Sequence, residues 1–146
     1  MRRVRPLLAA LAFASAGSAF AQMTPVGVWQ SIDDKTSEAK SQIRIAESGG
    51  VLTGRIEKLL RKDAKQDAVC DECSDDRKGK PLLGLEIIRG AKKAAGEDVW
   101  EQGKILDPEN GKEYTLRLAP AEGGQKLQVR GYLGPFYRTQ TWVRVN

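Results

Sequence analysis

The sequence predicts an all-β fold, most simply an eight-stranded antiparallel up-and-down barrel with one long polar loop. Eight short segments alternate apolar and polar residues at fairly regular spacing, and most are joined by glycine-rich turns. The first and last segments carry Trp29 and Trp142. Pairing these two end strands would close the sheet and remove its exposed edges. The predicted strands cover residues 25–31, 40–47, 51–60, 82–89, 99–106, 113–119, 126–132 and 139–145.

The first three strands are separated by clear turn signals. The first strand places Gly27 beside Trp29, which leaves space for ring packing. The second alternates and ends before Gly49 and Gly50, which favour a hairpin turn because glycine adopts positive φ readily. In the third strand Gly54 falls on the apolar face, and this predicts a bulge or bend of the kind that a barrel needs.

The remaining five strands follow the long loop. The fourth is predicted to end at Gly90, with residues 91–98 as a polar connection. Gly103 interrupts the fifth strand, and residues 107–111 are a strong turn signal. A further turn, predicted over residues 131–136, precedes the last strand. Because the connections read as consecutive hairpins, they favour an up-and-down barrel over a Greek key, which needs a longer connection.

Residues 1–21 are predicted to be a signal peptide. A positively charged start precedes an apolar run over residues 7–16, which is too short to span a bilayer. A small-residue cleavage pattern then ends at Ala21, before Gln22. We therefore expect residues 22–146 to form a single domain that is exported to the periplasm or secreted.

The charge of the predicted mature chain is small. Three of the 24 basic residues lie in the predicted signal peptide, so 21 basic residues face 19 acidic ones, a net charge of +2. This balance and the lack of a basic cluster interleaved with aromatics argue against a nucleic-acid partner. No later apolar run approaches membrane-spanning length, so the mature chain is not expected to span a membrane.

The absence of histidine limits the chemistry that the chain can perform. It excludes Ser-His-Asp and Cys-His nucleophile activation, histidine general bases and histidine-ligated zinc. No pair of carboxylates stands out as a catalytic pair. We therefore predict a protein that is not an enzyme, with no catalytic residue, no cofactor and no metal site.

The long polar loop, residues 61–81, contains the two cysteines of the chain, Cys70 and Cys73. In an exported protein such a pair predicts a disulfide, worth about 2 kcal/mol when the closed loop is this small. Redox activity of this Cys-x-x-Cys is disfavoured because Asp71 and Glu72 oppose the thiolate that exchange requires. Reduced thiols or a metal remain open, although zinc would need carboxylates as its further ligands.

Barrel closure and ligand binding draw on some of the same side chains. Arg138 or Arg144 is expected to stack on a tryptophan ring and hydrogen-bond carbonyl groups at the barrel floor. The closure set is Gly27, Trp29, Trp142 and Arg144. The candidate ligand contacts are Trp29, Tyr114, Arg138 and Trp142. An eight-stranded barrel is either filled by side chains or holds one small ligand, and the sequence leaves both outcomes open.

An ordered set of short segments resembles a known family. The segments are Gly27-Val28-Trp29, Lys80-Pro81-Leu82-Leu83-Gly84, Trp100, Gly103-Lys104-Ile105-Leu106-Asp107-Pro108, Gly111-Lys112-Glu113-Tyr114, Val129-Arg130-Gly131-Tyr132 and Arg138-Thr139-Gln140-Thr141-Trp142. Together they resemble the bacterial exported family called domain of unknown function 2147. The resemblance implies a lipocalin-like (calycin) barrel, in which an arginine of the last strand packs over the tryptophan of the first. It implies no activity.

These observations favour a non-enzymatic exported barrel that binds a small, largely apolar molecule. The alternative is an envelope protein-interaction or structural module that acts through the loop at residues 61–81. Thiol–disulfide chemistry at Cys70 and Cys73 is a more remote alternative. The sequence specifies neither the ligand, nor the oligomeric state, nor the face of the last strand that points inward.

Overall fold

The computed structural model describes residues 23–145, so the predicted signal peptide lies outside the described residues. Eight antiparallel strands form a closed barrel in chain order, which confirms the predicted fold class. The strands are β1 (Gly27–Ile32), β2 (Ala39–Ser48), β3 (Val51–Leu59), β4 (Glu86–Lys93), β5 (Trp100–Asp107), β6 (Lys112–Ala121), β7 (Lys126–Leu133) and β8 (Phe136–Arg144). A 3₁₀ turn at Glu122–Gly124 joins β6 to β7. Residues 23–145 contain no helix that is long and apolar enough to cross a membrane.

The two ends of the chain pair with each other, as the sequence predicts. Trp29 of β1 lies opposite Arg144 of β8, and Gln30 lies opposite Val143. The amide of Val145 adds a hydrogen bond of 2.8 Å to the carbonyl oxygen of Val28. Because every strand then has two neighbours, the barrel has no open sheet edge.

The core follows the alternation of side chains along the strands. Most inward positions are apolar because burying a large aliphatic side chain contributes about 1.5–3 kcal/mol. The largest fully buried aromatic side chains are those of Trp29 and Trp142, which belong to the same core cluster. The other strand residues of this cluster are Ile43, Ile45, Leu52, Ile56, Ile87, Ile88, Ala91, Trp100, Leu106, Leu116, Leu118, Leu127 and Val129.

Strand β4 continues past Gly90, where the sequence predicted its end. Gly90 has φ +76°, and its added Cβ would lie 4.0 Å from the Cα of Gly103 on β5. A Cβ on Gly103 would lie 2.6 Å from the nitrogen of Ala91, so the two strands approach each other at glycines. The glycine that reads as a strand end is thus an irregularity inside a strand that runs on to Lys93.

The last hairpin is longer than predicted. The sequence predicted a turn over residues 131–136, but β7 extends to Leu133 and β8 begins at Phe136, so only Gly134 and Pro135 connect them. The side chain of Phe136 is 77% exposed and that of Tyr137 is 62% exposed. The ends of these two strands therefore project beyond the core as an aromatic ribbon. Both faces of this ribbon are in water, so it shows no alternation of apolar and polar residues from which the sequence could predict a strand.

The connection from β3 to β4, residues 60–85, is here called the cap loop. Its last residues were predicted to begin the fourth strand at Leu82, but that strand begins at Glu86. Residues of the cap loop still run beside β3, because Gly84 N donates to Ile56 O and Ile56 N donates to Leu85 O. Leu85 is buried, which explains why its apolar neighbourhood reads as strand.

Candidate functional site

One end of the barrel, called the floor, is closed by Trp29 and Arg144. The Arg144 guanidinium lies 4.2 Å from the centre of the Trp29 ring, a cation–π contact. Its nitrogens donate to the carbonyl oxygens of Gly124, Val26 and Thr24 at 2.6–2.9 Å. Burial lowers the pKa of Arg144, yet an arginine remains charged at any physiological pH.

The Trp29 indole is fixed by the same segment. Its Nε1 donates to the carbonyl oxygen of Pro25 at 2.8 Å, and the ring is fully buried. Of the two arginines that the sequence offered for this position, Arg144 therefore packs on the indole. Arg138 lies at the other end of β8. The arginine-over-tryptophan arrangement implied by the family resemblance is present in the structure.

The opposite end, called the mouth, leads into a cavity of about 320 Å³. This volume is at the small end of the range of about 300–1,000 Å³ that small-molecule sites occupy. Its apolar wall includes Ile43, Ile56, Ile87, Ile105, Leu106, Val129 and Trp142. The interior is thus filled by side chains at the floor and hollow towards the mouth.

Strand β8 lines the cavity from its base to the mouth. Trp142, Gln140 and Arg138 all belong to the lining, so the face of β8 that carries Trp142 points inward. The Trp142 indole donates to Gln140 Oε1 at 3.3 Å. Along this face the side chains change from apolar to polar to cationic, and the charged one stands at the mouth.

Tyr114 of β6 forms another part of the mouth. Its hydroxyl group accepts a hydrogen bond of 3.2 Å from the Asn110 side chain. On the neighbouring strand, a Cβ added to Gly131 would lie 3.0 Å from the Cβ of Tyr114. The missing side chain at Gly131 therefore lets Tyr114 pack against the backbone of β7, and both residues line the cavity.

The cap loop covers part of the mouth. Ala64, Lys65, Ala68 and Leu82 line the cavity from this loop. Arg61, at its start, connects two other loops at the same end: it pairs with Asp33 at 2.9 Å and with Glu109 at 3.4 Å. The Arg61 hydrogen bond, assisted by the amides of Lys35 and Thr36, lowers the pKa of the Asp33 carboxyl.

Arg77 anchors the second half of the cap loop to the barrel. Its guanidinium is buried, donates to Glu86 O at 2.8 Å, and pairs with Asp75 and with Glu113 of β6 at 3.1 Å. The hydrogen bond from Arg77 lowers the pKa of Asp75 to about 2. The loop is polar in sequence, yet its central arginine is 2% exposed.

The two cysteines are also part of this anchor. The sulfur atoms of Cys70 and Cys73 lie at disulfide distance, and both residues are buried in the core cluster. The loop turns back on itself here, because Cys70 N donates to Lys80 O and Gly79 N donates to Cys70 O. A Cβ on Gly111 would lie 1.9 Å from Glu72 O, so the loop packs tightly on the β5–β6 turn.

Two acidic residues of the cap loop are paired with arginines. Asp75 contacts Arg77, and Asp76 contacts Arg89 at 2.9 Å. Within residues 23–145, no three cysteine, aspartate or glutamate side chains converge on a position suited to a metal ion.

The predicted site residues thus fall into two groups. Tyr114, Arg138 and Trp142 line the cavity, whereas Trp29 lies in the floor together with Arg144. Sequence reasoning missed the anchor Arg77, because an arginine in a charged loop is normally exposed. It also missed the cap-loop lining at Lys65, which no local sequence pattern marks. It also missed Ser31 and Ser41, whose hydroxyls lie 2.9 Å apart in the cavity wall. Ser41 lies on the same face of β2 as Ile43 and Ile45, so the alternation of that strand could have identified it.

A closed up-and-down barrel with an arginine over the first-strand tryptophan at one end and a cavity at the other defines a lipocalin-like protein. A solved structure agrees: the protein HP1028 of Helicobacter pylori, described as belonging to the lipocalin family, superposes with a TM-score of 0.71. The two chains are 17% identical over 86% of this chain and 85% of that one, so the likeness concerns the fold.

The chain belongs to the family described as uncharacterized protein conserved in bacteria (DUF2147), whose model matches residues 27–144. The resemblance stated from the sequence is thereby confirmed. No curated protein matches the sequence.

Proposed function

We propose that this protein is an exported, non-enzymatic barrel that binds one small, largely apolar molecule in the cavity. The observation that carries the proposal is the cavity of about 320 Å³ at the mouth end of the barrel, with aliphatic side chains and Trp142 in its wall. Transferring an apolar molecule from water into such a cavity is favourable by about 25 cal/mol per Å² of apolar surface buried. A lipocalin-like fold is generally a binding fold, which supports the same function.

A cavity-filling substitution tests this proposal. Val129 lines the cavity and is buried, so we expect Val129→Phe to occupy part of the volume and weaken uptake of the neutral fluorescent probe N-phenyl-1-naphthylamine. The matched control is Thr141→Phe, because Thr141 is exposed on the outside of β8. Equal probe binding by both variants and the wild-type chain would count against the cavity. Native mass spectrometry of the mature protein should also show a co-purifying small molecule.

The alternative function is a protein-interaction module that acts through the loop at residues 61–81. It is favoured by Val69, an apolar side chain of this loop that is 38% exposed. Val69→Ser separates the two functions, because Val69 is exposed and does not line the cavity. Loss of partner capture with unchanged probe uptake would support interaction, whereas unchanged partner capture would count against it.

Thiol–disulfide chemistry is less well supported by the geometry. An exchange catalyst needs an accessible sulfur atom. Cys70 is 0% exposed and Cys73 is 2% exposed. We therefore assign the pair a structural role in holding the cap loop, and expect the Cys70→Ser/Cys73→Ser variant to bind the probe.

A further inference from the structure

The polarity of the cavity is graded. Trp142 lies at its base, Gln140 follows, and Arg138 stands at the mouth, each one inward position further along β8. Successive inward residues of a strand are about 6.6 Å apart. An elongated ligand with an apolar tail at Trp142 would therefore place its other end at the level of Arg138.

The charges that line the cavity are mainly positive. Lys40, Arg61, Lys65 and Arg138 contribute four cations, against two anions from Asp107 and Glu109. Arg61 is already bound by carboxylates from three residues, and Lys40 lies 3.8 Å from Glu109. Among residues 23–145, the side chain of Lys65 lines the cavity with neither an ion pair nor a hydrogen bond, and only its backbone oxygen accepts one, from Ala68 N at 3.0 Å.

Arg138 can accept a second anion. Its Nε donates to Asp34 at 3.1 Å and its Nη2 donates to the other oxygen of the same carboxylate. Within the described chain Nη1 has no such bond, and a guanidinium has five N–H donors. Both side chains of the pair are largely exposed, 56% for Arg138 and 41% for Asp34, so water screens their attraction.

We propose that the ligand is a single-chain amphiphile with an anionic head group, its tail against Trp142 and its head between Arg138 of β8 and Lys65 of the cap loop. This inference rests on the function proposed above and adds the chemical class of the ligand. The small volume suits one short chain, and the two cations come from different segments, so head-group binding would also hold the cap loop against the barrel.

The test compares three probes of equal chain length: decanoate, decanol and decylamine. We expect decanoate to bind at least about tenfold more tightly than decanol, which corresponds to about 1.4 kcal/mol, and decylamine to bind most weakly. The Lys65→Gln/Arg138→Gln variant should lose that preference, with decanoate weakened about tenfold and binding no more tightly than decanol. Both positions are exposed, so the variant should unfold at the same temperature as the wild type.

The matched control is Lys92→Gln/Arg55→Gln. Lys92 is exposed on β4, and Arg55 forms an exposed ion pair with Glu86 outside the cavity. This variant removes the same charge and should keep the preference for decanoate. Equal affinity for decanoate and decanol would contradict the proposed anionic head group but not the proposed binding of apolar molecules in the cavity. Failure of all three probes to bind would overturn the proposed function and this inference together.

Discussion

The floor and the mouth of the barrel satisfy their polar groups in different ways. At the floor, the side chains of Arg144 and Trp29 donate hydrogen bonds to backbone carbonyl oxygens. The rings of Trp29 and Trp142 are both buried in the core. At the mouth, Arg61, Arg138 and their carboxylate partners are joined by ion pairs that water reaches. Exposed ion pairs contribute little to stability, whereas buried groups that lose their partners cost a great deal. The floor should therefore determine stability and the mouth should determine binding.

The largest expected effect is at the floor. Trp29→Ala removes a fully buried indole from the core cluster and leaves the Pro25 carbonyl without its donor, so we expect a loss of about 3–5 kcal/mol in the free energy of unfolding. Denaturant titration followed by circular dichroism measures it. A loss below about 1 kcal/mol would mean that the floor does not hold the barrel closed.

Arg144→Met compares the two arginines of β8 directly. It removes the donors to Gly124, Val26 and Thr24 and the contact with Trp29, so we expect a loss of about 2–3 kcal/mol. Arg138→Met is the matched change at the mouth. It should alter stability by less than about 0.5 kcal/mol, as surface substitutions usually do. Similar losses for both variants in the same titration would contradict the contrast between floor and mouth.

The cap loop is expected to contribute less to the free energy of unfolding than the floor and more than the mouth. Cys70→Ser/Cys73→Ser should lower the free energy of unfolding by about 2 kcal/mol, the value for closing so small a loop. Hydrogen exchange should rise first in the cap loop and leave β1 and β8 protected. Uniform exchange across all strands would show that the loop is part of the barrel's cooperative unit.

The smallest expected effect concerns pH. The pKa of Asp75 in the folded protein, about 2, lies below the usual value because Arg77 donates to it. A depressed carboxyl pKa stabilises the fold above the unfolded value, about 3.9, and this contribution is lost as the pH falls towards 2. Asp75→Asn should therefore lose stability at pH 6 and match the wild type more closely near pH 2. A constant difference across that range would contradict the role of this pair.

The sequence was most informative where one rule decides the structure. Alternation predicted the strands, the two terminal tryptophans predicted closure, and the irregularity at Gly54 appears as a register shift between β3 and β4. The ends of β4 and β7 were misplaced because glycine inside a strand, and a ribbon exposed on both faces, resemble turns. The burial of Arg77 depends on partners from β4 and β6, which no local pattern reveals.

The candidate site was predictable only in part. Tyr114 and Trp142 stand out by type, and both line the cavity. Lys65 does not stand out, because its position over the mouth follows from how the cap loop folds back through Arg61 and Arg77. Whether the barrel is hollow depends on the total volume of all inward side chains, and the apolar periodicity of the sequence does not give that volume.

The most direct measurement is the position of a bound ligand inside the barrel. Intermolecular nuclear Overhauser effects should connect the terminal methyl group of decanoate to the indole of Trp142 and to Ile56, both in the cavity wall. The methylene next to the carboxylate should instead contact the mouth near Arg138 and Tyr114. Contacts confined to the exposed rings of Phe136 and Tyr137, with none to Trp142, would show that the molecule binds outside and that the cavity is not the site.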